Sequence, residues 1–425
     1  MIEIIKDYSN FLLKLKERAS TVDDKYSKVV KEICADISKN GDTSLFNYTK
    51  TFDKWDINNT NIKFDKKDLK NAYQSLDDNL KNILQLAKKR ICDYQKKELQ
   101  KSWIDIKENG EILGTKIEPV EIAGLYVPGG KAAYPSSVLM NALPAKVAKV
   151  KKLIMCTPLP EGKINNTVLA AAYVAEVDEV YKIGGAQAIA AMAYGTESIP
   201  KVDKIVGPGN IYVALAKKEV FGVVGIDSIA GPSEILIIAD KNAKPNFIAA
   251  DLLSQAEHDQ LASGILITDN EEFANAVKKE IINLYNKLSR KEILDSSLKN
   301  YCKIIITENI EAAIDISNKI APEHLELALS NPFEYLPKVK NAGAIFLGYY
   351  TPEALGDYLA GSNHVLPTNG TARFFSPLGV NDFMKKSSII SFSKEAFLNL
   401  SSHVIDFATE EGLDAHAASI KERLR

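Results

Sequence analysis

The sequence predicts an α/β fold: two Rossmann-like parallel-sheet domains with additional helical segments at the N and C termini. Three observations lead to it. From about Glu111, short apolar runs alternate with amphipathic stretches, the strand–helix–strand grammar of a mainly parallel sheet. That alternation runs twice at similar length, over 111–232 and again over 233–376. A chain of 425 residues also exceeds what one compact core supports, so several domains are expected.

Residues 1–110 read as mainly helical and lysine-rich. Phe11-Leu-Leu-Lys-Leu15, Lys28-Val-Val-Lys-Glu-Ile33 and Leu80-Lys-Asn-Ile-Leu-Gln-Leu86 carry apolar residues at helical spacing, with lysines opposite. A solvated helix face explains those lysines more simply than phosphate binding. In the first α/β unit, Ile112-Leu-Gly114 and Ile122–Val127 are strand-like and lead to a turn at Pro128-Gly-Gly130. Helices follow over 137–150, 167–175, 186–194 and 211–221, with strands over 152–156, 179–183 and 203–206. The second unit reads as strands over 233–240, 264–268, 303–306 and 344–347, with helices over 246–258, 271–288 and 310–320. Residues 377–425 become helical again, ending in one helix over 394–425.

Charge is nearly balanced, 53 basic against 55 acidic residues, which argues against a nucleic-acid or membrane surface as the main partner. Cys34, Cys92, Cys156 and Cys302 are scattered without a Cys-x-x-Cys pair. They read as reduced core thiols rather than a disulfide frame or a zinc ribbon. No apolar run suits a signal peptide or a membrane span, so a cytoplasmic protein is expected.

The chemistry concentrates at histidine. Only five are present, and four keep acidic or amide company. They stand in Gln255-Ala-Glu-His258, in Pro322-Glu323-His324, at His364 shortly after Asp357, and in Glu411-Gly-Leu-Asp-Ala-His416; only His403 lacks such neighbours. Imidazole is both the commonest protein metal ligand and the side chain suited to proton transfer near neutral pH. Gln255 and His258, three apart near a helix end, share one face, although the spacing alone is weak evidence for a ligand pair. Asp357 sits in a short helical stretch after a strand, and His416 on the last helix. A mixed nitrogen and oxygen set without thiolates suits an exchangeable catalytic metal, though glutamine is an unusual ligand. Glu323 and His324 read as a helix end, where neighbours point roughly 100° apart. One is then a base toward substrate and the other positions or activates water, against the alternative of a helix cap or a hydrogen-bonded core histidine.

Three glycine turns, Gly184-Gly-Ala-Gln187, Gly207-Pro-Gly-Asn210 and Gly231-Pro-Ser233, follow or begin strands, where open sheets bind ligands. The dinucleotide fingerprint Gly-x-Gly-x-x-Gly is absent. The residues alone therefore support a metal-dependent α/β enzyme and no more.

Several stretches in order carry a resemblance. They are Gly124-Leu-Tyr-Val-Pro-Gly-Gly130, Ile183-Gly-Gly-Ala-Gln-Ala-Ile-Ala190, Val206-Gly-Pro-Gly-Asn-Ile-Tyr-Val213, Asp227-Ser-Ile-Ala-Gly-Pro-Ser-Glu234, Asp251-Leu-Leu-Ser-Gln-Ala-Glu-His258, Ala321-Pro-Glu-His-Leu-Glu326 and Gly361-Ser-Asn-His-Val-Leu-Pro-Thr368. Together they resemble the histidinol dehydrogenase family along nearly the whole chain, least in the first hundred residues. The resemblance implies NAD-dependent oxidation of L-histidinol to L-histidine by two hydride transfers through a bound aldehyde. It implies zinc held by Gln255, His258, Asp357 and His416, with Glu323 and His324 as the catalytic pair. NAD contacts fall on Tyr126, Gln187 and Asn210. Substrate contacts fall on Ser233, His324, His364 and Glu411 together with the metal ligands. It further implies a homodimer whose C-terminal helices, with Glu411 and His416, complete the partner's site. Competing expectations are a relative acting on another small alcohol, a metal-dependent hydrolase and a non-catalytic binding protein.

Overall fold

A computed structural model of the chain describes residues 2–18, 23–129, 134–229 and 231–425. Its first sheet runs, in spatial order, Glu179–Tyr181, Lys152–Cys156, Ile122–Tyr126, Lys204–Val206 and Gly225–Ile226, all parallel. The second runs Glu3–Ile5, Lys303–Ile306, Ser263–Thr268, Glu234–Ala239, His324–Ala328 and Ala344–Leu347, again parallel throughout. In both sheets the unit's first strand is internal, the next two lie on one side and the fourth on the other. Strand order therefore reverses beside Ile122–Tyr126 and beside Glu234–Ala239, which makes each a topological switch point.

Packing explains why these runs become parallel strands. Every position of Glu234–Ala239 is buried. Ile235 and Ile237 enter one apolar layer with Leu252, Phe273 and Val277, while Leu236 and Ile238 enter another with Phe11, Ile314, Leu325 and Leu327. A period of two that feeds two covered faces reads as a continuous apolar run. Each such side chain contributes about 1.5–3 kcal/mol on burial, before the entropy of ordering the chain. On the first sheet, Ile33, Ile37 and Leu45 of the helix Asp23–Asp53, interrupted at Gly41, pack with Ile189 and Met192 of the helix Gly185–Tyr194.

Several expectations need correction. The mainly helical N-terminal region also supplies an unexpected strand, Glu3–Ile5, which adds an edge to the second sheet by pairing with Lys303–Ile306. Three residues carry too little periodicity to announce themselves. The segment from 377 is not wholly helical either. Met384–Phe392 is a strand antiparallel to Glu111–Pro119, which also pairs with Trp103–Ile106. The single last helix divides into Lys394–Glu410 and Asp414–Lys421, with Gly412 at φ 72° between them. His324–Ala328 is a strand rather than a helix end.

The chain forms two compact units, 1–98 with 121–383, and 99–120 with 384–425. Both parallel sheets belong to the first, and the antiparallel sheet with the last two helices makes the second. Of the motifs quoted above, Gly130 and Ala230 lie outside the described residues. Among the described residues no helix is long and apolar enough to cross a membrane.

Candidate active site

The helix Ile310–Ile320 ends on Ala321, whose φ of 55° turns the chain sharply. Pro322 follows and disfavours any continuation of the helix. Holding a non-glycine residue in that region costs roughly 1–2 kcal/mol. The turn delivers Glu323 and His324 to the amino end of the second sheet's switch point. Gly343 makes room for it, since a Cβ there would lie 2.5 Å from the carbonyl oxygen of Glu323.

The backbone of one residue then holds both side chains. The Glu234 N–H donates to Glu323 Oε2 at 2.9 Å, and the Glu234 carbonyl accepts from His324 Nδ1 at 3.1 Å. A carbonyl can only accept, so Nδ1 carries the proton and Nε2 offers a lone pair. Nε2 is buried and, among the described residues, has no hydrogen-bond partner. It lies 3.8 Å from Glu353 Oε1 and 3.9 Å from Asp357 Oδ1.

The electrostatics follow from burial. Desolvation pushes His324 down to about 4, so the ring is neutral near pH 7. Glu323 is held well above the usual carboxylate range by burial and by repulsion from Glu234 and Asp357. Burial also raises Glu353, and Asp357, Glu323, Glu326 and Asp251 add repulsion; Asp357 is raised by burial as well. Ligand atoms of His324, Glu353 and Asp357 all lie within 4.8 Å of one another. Carboxylates crowded around an orphaned imidazole nitrogen fit a divalent cation, and the nitrogen and oxygen donors suit zinc.

Gln255 is fully buried at the end of the helix Pro245–Ala256. Its amide satisfies both polar atoms when Nε2 donates to Glu353 Oε1 at 2.8 Å and Oε1, at 2.7 Å, shares the Glu234 N–H with Glu323. Turned over, it would set Oε1 against the Glu353 oxygen, a pairing that needs a proton or a cation between them.

His258 lies beyond that helix, not on it, and is exposed. Its Nδ1 donates to Ser254 O at 2.9 Å, and the ring interacts electrostatically with both His324 and Asp357. Asp357 occupies the short helix Glu353–Tyr358. His364 donates from Nδ1 to the Asp357 carbonyl at 3.0 Å, and its Nε2 lies 3.2 Å from the Ser137 hydroxyl. Ser137 belongs to the helix Pro135–Val147, which follows the central strand of the first sheet, so the loop bearing His364 meets that sheet's elements. Ser233 is half-buried and directly precedes Glu234. Gly231-Pro-Ser233 thus stands at the amino end of its strand, not at the carboxyl end where such turns bind ligands. Glu411 and His416 lie exposed in the second unit, at the end of one helix and on the next.

On the first sheet, Tyr126, Gln187 and Asn210 all lie at or beyond carboxyl strand ends. Tyr126 is buried at the end of the central strand, and its hydroxyl accepts from Gly185 N at 3.0 Å. Gln187 is buried in the first turn of the helix Gly185–Tyr194. Asn210 caps the helix Ile211–Val220 through Oδ1, accepting from Tyr212 N and Val213 N. Gly207, at φ 120°, lets that loop pass the Tyr126 carbonyl, 2.1 Å from where a Cβ would stand. Two helix N-termini beside a switch point suit a dinucleotide's phosphates.

Sequence reasoning passed over Glu353, Ser137 and Glu234. Glu353 had a signal, because it stands four residues before Asp357 and shares its helix face. The others meet the site only through the fold. A cavity of about 940 Å³ lined by Tyr94, Gln95, Phe346, Gly356 and Leu378 holds none of the expected site residues. The polar cluster locates the chemistry better than volume does.

A family profile described as histidinol dehydrogenase matches residues 16–424. The chain belongs to the histidinol dehydrogenase family. A histidinol dehydrogenase of Lactococcus lactis is 53% identical over 411 residues, covering 96% of this chain and 95% of that protein. One from Clostridium acetobutylicum is 52% identical, covering 100% and 99%. The crystal structure of histidinol dehydrogenase from Elizabethkingia anophelis superposes with a TM-score of 0.94 at 37% identity, covering 100% of this chain and 98% of that one. As a member of the histidinol dehydrogenase family, the chain is an enzyme and an oxidoreductase.

Proposed function

We propose that the chain oxidises L-histidinol to L-histidine with NAD, through an L-histidinaldehyde that stays bound, as the last step of histidine biosynthesis. The observation that carries this reading is the orphaned Nε2 of a neutral, buried His324, held beside Glu323 by the backbone of Glu234. His324 takes the proton of the substrate hydroxyl during the first oxidation and that of the hydrated aldehyde during the second. Glu323, raised by burial, is a stronger base than a solvated glutamate once ionised, and it draws the proton from the water that adds to the aldehyde.

Zinc, held by Gln255, His258, Asp357 and His416, supplies Lewis acidity and a fixed anchor for the substrate's nitrogens when bound. NAD, against Tyr126, Gln187 and Asn210, supplies the hydride acceptor when bound. Ser233, His364 and Glu411 complete the substrate contacts, with Ser137 holding His364 in place. Fixing the alcohol carbon in this way can supply several kcal/mol of the barrier.

The working form is a cytoplasmic homodimer in which Glu411 and His416 enter the partner copy's site, with no nucleic acid or membrane involved. Exposed Trp103, Ile104, Ile106 and Ile390 on the second unit's sheet support a partner surface.

The test is to incubate the purified protein with L-histidinol and NAD, with and without a chelator, and to count NADH per histidinol consumed. Two NADH with histidine as product, lost on chelation, would support the substrate, the cofactor and the metal. No NADH from the metal-replete dimer would overturn the assigned substrate, and turnover without NAD would point to hydrolysis.

A further inference from the structure

We propose that Arg18 is a positioning residue for this reaction: through Glu234 it braces the backbone that orients Glu323 and His324. The inference rests on the roles given above to that pair. Arg18 follows the helix Ser9–Glu17 and is buried. Its guanidinium donates to Glu234 Oε2 at 2.8 Å and to the carbonyls of Leu261 and Pro232 at 3.0 and 3.4 Å. The pair is sealed, with side chains 0% and 8% exposed. Glu234 Oε1 accepts from Asn369 N at 2.8 Å.

Glu234 is therefore committed at both ends. Its carboxylate is clamped by Arg18 and Asn369, while its N–H holds Glu323 and its carbonyl holds His324. Any displacement of that carboxylate passes to both reacting groups at once. Ser233 lies between Glu234 and Pro232, two residues that the guanidinium grips.

Stability alone is a poor reason for such a pair, because the cost of desolvating two charges offsets much of their attraction. The planar fork of arginine reaches three acceptors in a fixed geometry, which a lysine ammonium cannot reproduce. A brace that defines geometry uses that property.

The test compares wild type with Arg18→Met, Arg18→Lys and the double variant Arg18→Met/Glu234→Gln, all as zinc-replete full-length enzyme. The readouts are kcat per folded molecule, KM for histidinol and for NAD, and Tm. In Arg18→Met, kcat should fall roughly tenfold to a hundredfold, as expected for a misplacement of about 1 Å. KM for NAD should stay unchanged, since its expected contacts lie on the other sheet. Arg18→Lys should recover part of kcat. The double variant should recover the Tm lost to an unpaired buried carboxylate, while its kcat stays low.

Wild-type kcat per folded Arg18→Met molecule, or a double variant that regains both kcat and Tm, would overturn the proposal. Should Arg18→Met not fold, the lysine and double variants decide the question alone. Glu323→Gln and His324→Ala are run alongside. If they too turn over normally, the reading of the catalytic pair has failed. If they are inactive while the Arg18 variants are not, only the brace has failed.

Discussion

His324 and Glu234 are joined by one hydrogen bond, ring Nδ1 to carbonyl oxygen at 3.1 Å, and that bond decides which imidazole nitrogen faces Glu353 and Asp357. On the proposed reading the unpartnered lone pair on Nε2 serves as the base, so His324→Ala should lower kcat by about 10²- to 10⁴-fold. NAD affinity, measured by calorimetry, should not change. A loss of NAD binding in step with kcat would mean that the ring supports the cofactor side instead.

Glu323 reaches the same residue by another bond, accepting from the Glu234 N–H at 2.9 Å. Its expected task, drawing a proton from water, belongs only to the second half of the reaction. Glu323→Gln should therefore slow oxidation of supplied L-histidinaldehyde by about 10²-fold or more, while the first NADH from histidinol still forms. Rapid-quench single turnovers separate the two halves. Equal losses in both would sink this division of labour.

Two ligand sets compete for the proposed zinc, and Glu353 distinguishes them. His324, Glu353 and Asp357 stand close enough to share an ion, whereas the family pattern uses Asp357 with Gln255 and His258. In the second case Glu353 only orients the Gln255 amide. Zinc that binds the folded state alone raises Tm, and Asp357→Asn should lose most of that rise. Glu353→Gln should weaken zinc about 10- to 100-fold, the effect of an outer partner, rather than abolish binding. Abolition, read in a zinc titration, would make Glu353 a ligand and His324 a candidate for another.

How much of this was legible in the sequence depended on whether a residue's neighbours in the chain are also its neighbours in the fold. Continuous apolar runs such as Ile235–Ala239 announced buried parallel strands correctly. His324–Ala328 was harder, because His324 and Glu326 put buried polar groups on one face. The alternation of Leu325, Leu327 and Leu329 was the available sign of a strand. The contact of Ser137 with His364 spans 227 residues and that of Arg18 with Glu234 spans 216, so no local pattern records either. The antiparallel pairing of Glu111–Pro119 with Met384–Phe392 was hidden for the same reason.

Away from the catalytic cluster, Asp53 reports on pH. Its Oδ2 is buried without a hydrogen-bond partner among the described residues, and burial raises its pKa to about 6 from 3.8. Between those values the folded chain keeps a proton that the unfolded chain has lost, so this group's contribution to stability declines as pH rises through the window. Asp53→Asn removes the cost of the buried charge. It should raise Tm at pH 7.5 by roughly 1–3 °C and leave it nearly unchanged at pH 4. A gain independent of pH would show that the carboxylate is not the cause.

Glu411 and His416 raise the question of which site they serve. Both are exposed in the second unit, whose sheet and helices also expose Trp103, Ile106, Ile390 and Phe407. If the sites are shared, each active centre takes His324 from one copy and His416 from the other. A His324→Ala dimer and a His416→Ala dimer should then both be inactive, each lacking one group in both of its sites. Unfolding and reassembling the two together gives mixed dimers in which one site lacks both groups and the other lacks neither. Random pairing makes about half of all dimers mixed, and each carries one intact site, so activity should return to about a quarter of wild type. Differently tagged subunits allow the mixed species to be isolated and assayed, where half of wild-type activity is expected. A purified mixed dimer with no activity would mean that each chain builds its site from its own residues, and would return His416 to its own subunit.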